Sequence, residues 1–281
     1  MNKLKLRAML QSFFIEDLGD QDLTSNAVFP PDQFGKGVLV AKADGIISGL
    51  AIIREGYQLL DERVQIECFY KDGDHVKSGD IIAEAAGPVV AILGGERVIL
   101  NLVQRMSGIA SMTRTCVEAL NDSSIQLCDT RKTTPGLRML EKYAVVAGGG
   151  KNHRSGLYDG VMIKDNHISF CGSITEAVEA VRGTVGHMVK VEVETETREE
   201  VLEAVEAGVD VIMFDNRSPD EVREFVPLVP KHIITEASGG ITLNNLSGYA
   251  GTGVDCISLG FITHSVKSLD ISLLVSQEEE K

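Results

Sequence analysis

The sequence predicts a mixed α/β protein, a small antiparallel α+β domain followed by a parallel α/β barrel. Three observations carry this. From Ile125 onward, short apolar runs alternate with helix signatures, the pattern of parallel strands joined by helical crossovers. Each run ends at or next to a polar residue, as strands do at a barrel rim that carries chemistry. Between residues 36 and 95, β-prone runs are instead separated by Asp-Gly and Ser-Gly-Asp turns, which suit hairpins.

In chain order, Leu6, Met9, Leu10, Phe13 and Phe14 recur at three- and four-residue spacing and make the apolar face of a first helix, stopped near Gly19. The carboxylate-rich stretch from Glu16 to Thr24 lacks the ligand spacing of a calcium loop and reads as a capped turn. Strand-like runs follow at Gly37–Ala41, Val64–Cys68, Ile81–Ala83 and Val89–Ile92, with one helix around Leu50 to Leu60 and His75 as a surface residue in a turn. Glu96 then opens a long helix with Val98, Ile99, Leu102, Val103, Met106 and Ile109 on its apolar face. The domain boundary falls in or just after it.

The barrel strands are read at Ile125–Asp129, Gly160–Lys164, Val189–Glu194, Val209–Asp215, Ile233–Glu236 and Val254–Ser258, with helices such as Arg198–Ala207 between them, closed by Gly208. Gly208-Val-Asp-Val-Ile is echoed by Gly253-Val-Asp-Cys-Ile 45 residues later, which favours a barrel over an open sheet. No G-x-G-x-x-G follows the first strand, so a dinucleotide fold is not indicated.

Charge singles out one stretch. The formal net charge is -14, yet residues 129 to 167 hold seven Lys or Arg against four Asp or Glu. Solubility is already served by the acidic surplus, so the local cations Arg131, Lys132, Arg138, Lys151 and Arg154, with His153 among glycines 148 to 150, read as a cradle for a small anion. Nucleic acid would require a broad basic face, which an acidic chain with 5% aromatics does not offer. Five cysteines form no C-x-x-C pair and read as buried free thiols of a reducing, cytoplasmic compartment. No apolar run approaches the ~20 residues of a membrane span, the N-terminus lacks a cleavable signal pattern, and residues 277 to 281 read as a frayed acidic tail.

The predicted strand ends carry Asp129, Lys164, Glu194, Asp215, Glu236 and Ser258. Six such residues on one rim mark a site. The loops Ala237-Ser-Gly-Gly-Ile241 and Leu259-Gly260 offer backbone amides for a phosphate, so a phosphorylated sugar plus a carboxylated partner would fill the rim. Two other readings stay open here: a Schiff-base barrel using Lys164, and a phosphosugar sensor using only the Ser238 loop.

Taken together, Glu96-Arg-Val-Ile-Leu-Asn, Asp129-Thr-Arg-Lys-Thr-Thr-Pro-Gly-Leu-Arg, Gly148-Gly-Gly-Lys-Asn-His-Arg, Met162-Ile-Lys-Asp-Asn-His, Val191-Glu-Val-Glu, Met213-Phe-Asp-Asn, Glu236-Ala-Ser-Gly-Gly-Ile and Ser258-Leu-Gly resemble the quinolinate phosphoribosyltransferases, the decarboxylating transferases of NAD biosynthesis. The likeness implies an N-terminal α/β sandwich (1–106), an incomplete barrel of about seven strands (107–265) and a C-terminal segment (266–281) that returns to the first domain. It implies transfer of phosphoribose from 5-phosphoribosyl 1-pyrophosphate to quinolinate, with Mg2+, in a homodimer. A relative using nicotinate would lack the demand for two carboxylate-binding sites. By the same likeness, Arg131, His153 and Arg154 hold the quinolinate carboxylates with Arg97 of a neighbouring subunit, and Lys132 and Lys164 reach both substrate and pyrophosphate. Glu194 and Asp215 bind the ribose hydroxyls or the metal, and Ser238, Gly239, Gly240 and Gly260 take the 5-phosphate.

Overall fold

The computed structural model describes residues 1–276, so the tail expected at 277–281 lies outside the described residues. Two compact units share the chain. One takes Met1–Arg114, Met139–Gly149 and the chain from Ser265, and the other takes Thr115–Arg138 and Gly150–His264.

The first unit begins with α1 (Lys3–Leu18), capped by the Asn2 side chain and burying Leu6, Leu10 and Phe14. The acidic turn after it is a cap, as its composition suggests: Asp22 Oδ1 accepts the Thr24 and Ser25 N–H groups, each at 3.0 Å, and starts α2 (Leu23–Val28). There follow β1 (Phe34–Ala41), β2 (Gly45–Ile46), α3 (Leu50–Leu60), β3 (Gln65–Cys68), β4 (His75–Val76), β5 (Ile81–Pro88) and the long α4 (Val89–Leu120). His75 is exposed, as expected, but pairs with Ile46 in a short β2–β4 ladder.

The Val89–Ile92 run is helix, not strand, and α4 starts seven residues before Glu96. Its β-branched residues are strand-like in isolation, and the Gly94-Gly95 pair that follows disfavours helix. The glycines serve packing instead: a Cβ at Gly95 would lie 2.8 Å from both Leu60 Cδ1 and Tyr57 Cε1. Without side chains there, α4 presses against α3, and burial of Ile92 outweighs local β preference.

The second unit is built on β6 (Gln126–Cys128), with α5 (Arg138–Ala147) leading away from it into the first unit. It continues through β7 (Val161–Ile163), α6 (Asp165–Cys171), α7 (Ile174–Arg182), β8 (Val191–Thr195), α8 (Arg198–Glu206), β9 (Val211–Asp215), α9 (Pro219–Phe225), β10 (Ile234–Ser238), β11 (Cys256–Ser258) and α10 (Phe261–His264). The six strands form one parallel sheet in the order β6-β11-β10-β9-β8-β7, an incomplete barrel with β6 and β7 at its open edges. The resemblance implied about seven strands. Among the described residues the seventh position holds only a single bridge, Cys128 to Lys151. It is pinned by Lys151 N–H to Leu127 O at 2.8 Å and Asp129 N–H to Lys151 O at 3.1 Å.

The internal echo is a strand-entry device. Gly208 and Gly253 have φ of +67° and +82°, and the aspartate two residues after each accepts a backbone N–H from the neighbouring strand. Asp210 takes Val191 N–H and Asp255 takes Thr235 N–H, both at 2.8 Å.

The last strand, β12 (Ile271–Ser276), lies antiparallel beside β1 and completes a four-stranded sheet, β12-β1-β5-β3, in the first unit. All five cysteines are free thiols, but Cys171 is exposed and Cys68 and Cys256 are half-buried, against the expectation that all are interior. Among the described residues no helix is long and apolar enough to cross a membrane.

Candidate active site

Side chains alternate along a strand, so residues two apart share a face. In the second unit this brings Met162 and Lys164 of the β7 end, Glu194 of β8, Met213 and Asp215 of β9, Glu236 and Ser238 of β10 and Ser258 of β11 to one cavity of about 450 Å3. Thr130, Arg131, Lys132, His153, Arg154, Asn216, Gly239 and Gly240 complete its lining.

The cationic wall comes from the loop after β6 and the segment that bridges it. Arg138 braces this loop: its Nε donates to Thr133 Oγ1 at 2.9 Å, and its terminal nitrogens donate to Ser155 O at 3.1 Å and Arg131 O at 3.3 Å. Arg138 and Lys151, counted with the basic stretch by sequence, therefore serve architecture and do not line the cavity. Arg154 is held by a 3.1 Å bond from its guanidinium to Gly160 O. Burial lowers its pKa, and Arg131 nearby acts in the same direction, so the pair is primed for an anion.

Opposite stand Glu194 and Asp215. Burial raises the Glu194 pKa, and the Lys164 ammonium, in tight contact with Glu194 Oε1, opposes that rise. An ion-paired ammonium is a poor nucleophile, which counts against the Schiff-base reading of Lys164. Asp215 accepts from the Asn216 amide at 2.8 Å. Two carboxylates facing one cavity are the hard oxygen donors that magnesium takes, so the residues fit such an ion.

At the third side the chain turns through Ser238-Gly239-Gly240. Gly239 has φ +81°, and a Cβ there would lie 2.3 Å from Asn216 Oδ1, so only glycine fits. Gly260 is outside the cavity lining but close to it, since a Cβ at this position would meet Lys132 Cδ at 3.1 Å.

His153 and Glu236 of the lining join Glu192 and Asp129 in a cluster that sequence spacing does not assemble. His153 N–H donates to Asp129 Oδ1 at 2.8 Å, and His153 Nδ1 accepts the Arg154 N–H at 2.7 Å. Its Nε2 faces Glu192 Oε2 at 3.1 Å and Glu236 Oε2 at 3.6 Å. Glu192 is buried with Oε1 lacking a hydrogen-bond partner, and the Ser258 hydroxyl donates to Glu236 Oε1. Glu192 could have been found by parity, because it sits two residues before Glu194 in the same strand.

Of the residues expected to form the site, twelve line this cavity: Arg131, Lys132, His153, Arg154, Lys164, Glu194, Asp215, Glu236, Ser238, Gly239, Gly240 and Ser258. Asp129, expected with them, is buried outside the lining and accepts the His153 N–H. Arg97 belongs to α4 in the first unit, where its side chain is 62% exposed and lies 3.7 Å from Glu96.

Comparison with known proteins bears directly on this arrangement. Residues 22–107 match the family model for the quinolinate phosphoribosyl transferase N-terminal domain, and residues 109–274 match that for the C-terminal domain. A Bacillus subtilis (strain 168) protein named "Probable nicotinate-nucleotide pyrophosphorylase (carboxylating)" is 60% identical over 280 residues, covering 100% of this chain and 96% of its own length. A Synechocystis protein (strain ATCC 27184 / PCC 6803 / Kazusa) of the same name is 43% identical, covering 95% of this chain and 91% of its own. The crystal structure of NadC from Streptococcus pyogenes superposes with a TM-score of 0.96 at 40% identity, covering 99% of each chain. With both family domains matched in order across the chain that builds this cavity, the protein belongs to the quinolinate phosphoribosyltransferase family.

Proposed function

We propose that this chain transfers phosphoribose from 5-phosphoribosyl 1-pyrophosphate to the ring nitrogen of quinolinate with loss of carbon dioxide, yielding nicotinate mononucleotide and pyrophosphate in NAD biosynthesis. One observation carries the reading: a single cavity combines Arg131, Lys132, Arg154 and Lys164 with the carboxylates of Glu194 and Asp215 and the glycine loop after β10. The family match gives that combination its substrates.

Arg131 and Arg154 take the quinolinate carboxylates, because a guanidinium fork matches a carboxylate. His153 backs them, its backbone and ring fixed by Asp129, Glu192 and the Arg154 N–H. Displacing pyrophosphate builds positive charge on the sugar and negative charge on the leaving group. Glu194 and Asp215 face the first, while Lys132 and Lys164 face the second. Lys164 leaves Glu194 for the pyrophosphate as the sugar engages that carboxylate. Glu194 and Asp215 would hold magnesium, which when bound would supply charge neutralisation for the pyrophosphate. Ser238, Gly239, Gly240 and Gly260 receive the 5-phosphate. The quinolinate nitrogen is the nucleophile, so the protein has only to orient and neutralise. Once alkylated, that nitrogen is cationic and stabilises the carbanion left by carbon dioxide.

The working unit in this reading is a cytoplasmic homodimer in which Arg97 enters the neighbouring subunit's cavity. Its exposure leaves the guanidinium available for that role. The test of the activity is release of labelled carbon dioxide from carboxyl-labelled quinolinate. Release that depends on 5-phosphoribosyl 1-pyrophosphate is expected, and no release with both substrates present would overturn the reading.

A further inference from the structure

Glu236 is a titratable side chain in the cavity that the transfer step leaves unused. It lies on β10, 3% exposed, and lines the cavity beside Ser258. Its Oε1 accepts the Ser258 hydroxyl, and its Oε2 lies 3.6 Å from His153 Nε2.

The protonation of this cluster follows from geometry. His153 Nδ1 accepts the Arg154 N–H at 2.7 Å, so the ring proton sits on Nε2 and the imidazole is neutral. That one N–H faces two buried carboxyl groups, with the three candidate ligand atoms within 4.8 Å of one another. Two carboxylates so placed in a barrel interior do not both stay ionised, and one keeps a proton. Glu236 is the member of the pair that lines the cavity, so a proton it holds is the one within reach of a bound ligand. A metal ion fits poorly, because binding at Nε2 would move the ring proton to Nδ1, which faces the Arg154 N–H donor. The titratable groups facing Glu236 are Glu192 and Glu194 of β8, His153, and the thiols of Cys256 and Cys128 on β11 and β6. Burial, and then the Glu192 charge, push the Glu236 carboxyl up to about 7.

We propose that Glu236 is the acid that protonates carbon 2 of the pyridine ring after carbon dioxide leaves, an assignment that rests on the function given above. The bond from carbon 2 to its carboxyl group breaks, and carbon dioxide departs without the bonding pair. The pair stays on carbon 2 beside the cationic nitrogen and takes the proton of the Glu236 carboxyl group. The Glu236 carboxylate regains a proton from water as the products leave, so each turnover consumes one solvent proton. Lys132 and Lys164 are occupied by anions during this step. Glu236 is the buried lining group that holds a proton to give near neutral pH.

The test is Glu236→Gln, which keeps the size of the side chain and an acceptor for Ser258 but has no acidic proton. Quinolinate affinity by calorimetry should match the parent. Single-turnover formation of nicotinate mononucleotide should fall about 100-fold, within the range of a lost general acid. In mixed H2O and D2O the deuterium fraction at carbon 2 of the product should also move. It should shift from the parent's value toward that of an N-alkyl quinolinate decarboxylating in the same solvent. Parent-like rate and deuterium fraction in Glu236→Gln would overturn the proposal. If that variant does not fold, Glu236→Asp keeps the acid but withdraws it by one methylene, and a parent-like rate and deuterium fraction there would overturn it equally. Failure of the parent itself to release carbon dioxide would sink the proposed activity instead, so the two failures are distinguishable.

Discussion

Gly239→Ala, compared with Gly240→Ala, asks whether the turn after β10 is set by contact or by backbone conformation alone. Both glycines have positive φ, +81° and +63°, so alanine at either position carries a left-handed penalty of ~1–2 kcal/mol. What the new methyl meets differs. At Gly239 it would lie 2.3 Å from Asn216 Oδ1 and 2.8 Å from Asn216 N, whereas at Gly240 nothing is nearer than 4.0 Å. Relief at Gly239 requires the Asn216 backbone to move, yet its N–H donates to Ser238 O at 2.8 Å. Losing that bond adds ~1 kcal/mol. Gly239→Ala should therefore cost roughly 3 kcal/mol and Gly240→Ala roughly 1–2 kcal/mol in urea unfolding followed by a probe in the second unit. Because Asn216 neighbours Asp215, Gly239→Ala should also weaken 5-phosphoribosyl 1-pyrophosphate binding about tenfold, equivalent to ~1.4 kcal/mol, while quinolinate binds normally in calorimetry. Equal losses of stability in the two variants would refute the contact argument.

Arg154→Ala should weaken quinolinate about 10- to 100-fold, the worth of a charge-assisted bond, and Arg154→Lys should not restore it because the fork is missing; parent-like calorimetry of the lysine variant would remove the assigned role. Glu194→Ala and Asp215→Ala should cost about 100-fold in turnover and alter the magnesium dependence while sparing quinolinate affinity; equal damage to both substrates would undo that division. Glu236, with its folded pKa raised to about 7, stabilises the fold fully below the ordinary glutamate value and loses that contribution as pH rises to about 7. Unfolding of the second unit should therefore show stability falling between about pH 4.5 and 7, a slope that Glu236→Gln flattens; an unchanged slope in the variant would assign the titration elsewhere. Arg97→Ala and Lys164→Ala should each be inactive alone, and after co-refolding about one quarter of sites should recover under random two-fold pairing; heterodimers without recovery would place Arg97 in its own chain's cavity.

Much of the fold is legible because hydrophobic period and polar strand ends are local signals. The six parallel strands were read at their positions, as was the turn capped by Asp22. The start of α4 was not. Val89-Val-Ala-Ile followed by two glycines is strand-like in isolation, and only the approach of Tyr57 and Leu60 to Gly95 makes glycine favourable inside a helix. The role of Arg138 was likewise hidden, since a bracing arginine and a ligand-binding arginine look alike in sequence. Its three bonds to the 131–133 segment and Ser155 depend on a return of the chain that spacing does not specify.

The site was legible at its strand ends, Glu236 among them, and illegible at Glu192, for a physical reason. A polar residue that ends an apolar run stands out, whereas one inside the run reads as a tolerated interruption. Strand parity resolves the ambiguity: stepping back two residues from Glu194 gives Glu192, which must face the same interior. Glu236, read as a strand end, lies level with Met213 and Cys256, and Met213 lies level with Glu194. Two buried carboxyl groups with an imidazole between them cost stability, a cost that use of their proton in the reaction would explain. The transfer half of the reaction moves charge between groups at the rim and has no use for an acid, whereas the decarboxylating half ends with a carbanion that requires one. In the proposed assignment, Glu194 and Asp215 serve the first half of the chemistry and the Glu192–His153–Glu236 cluster the second.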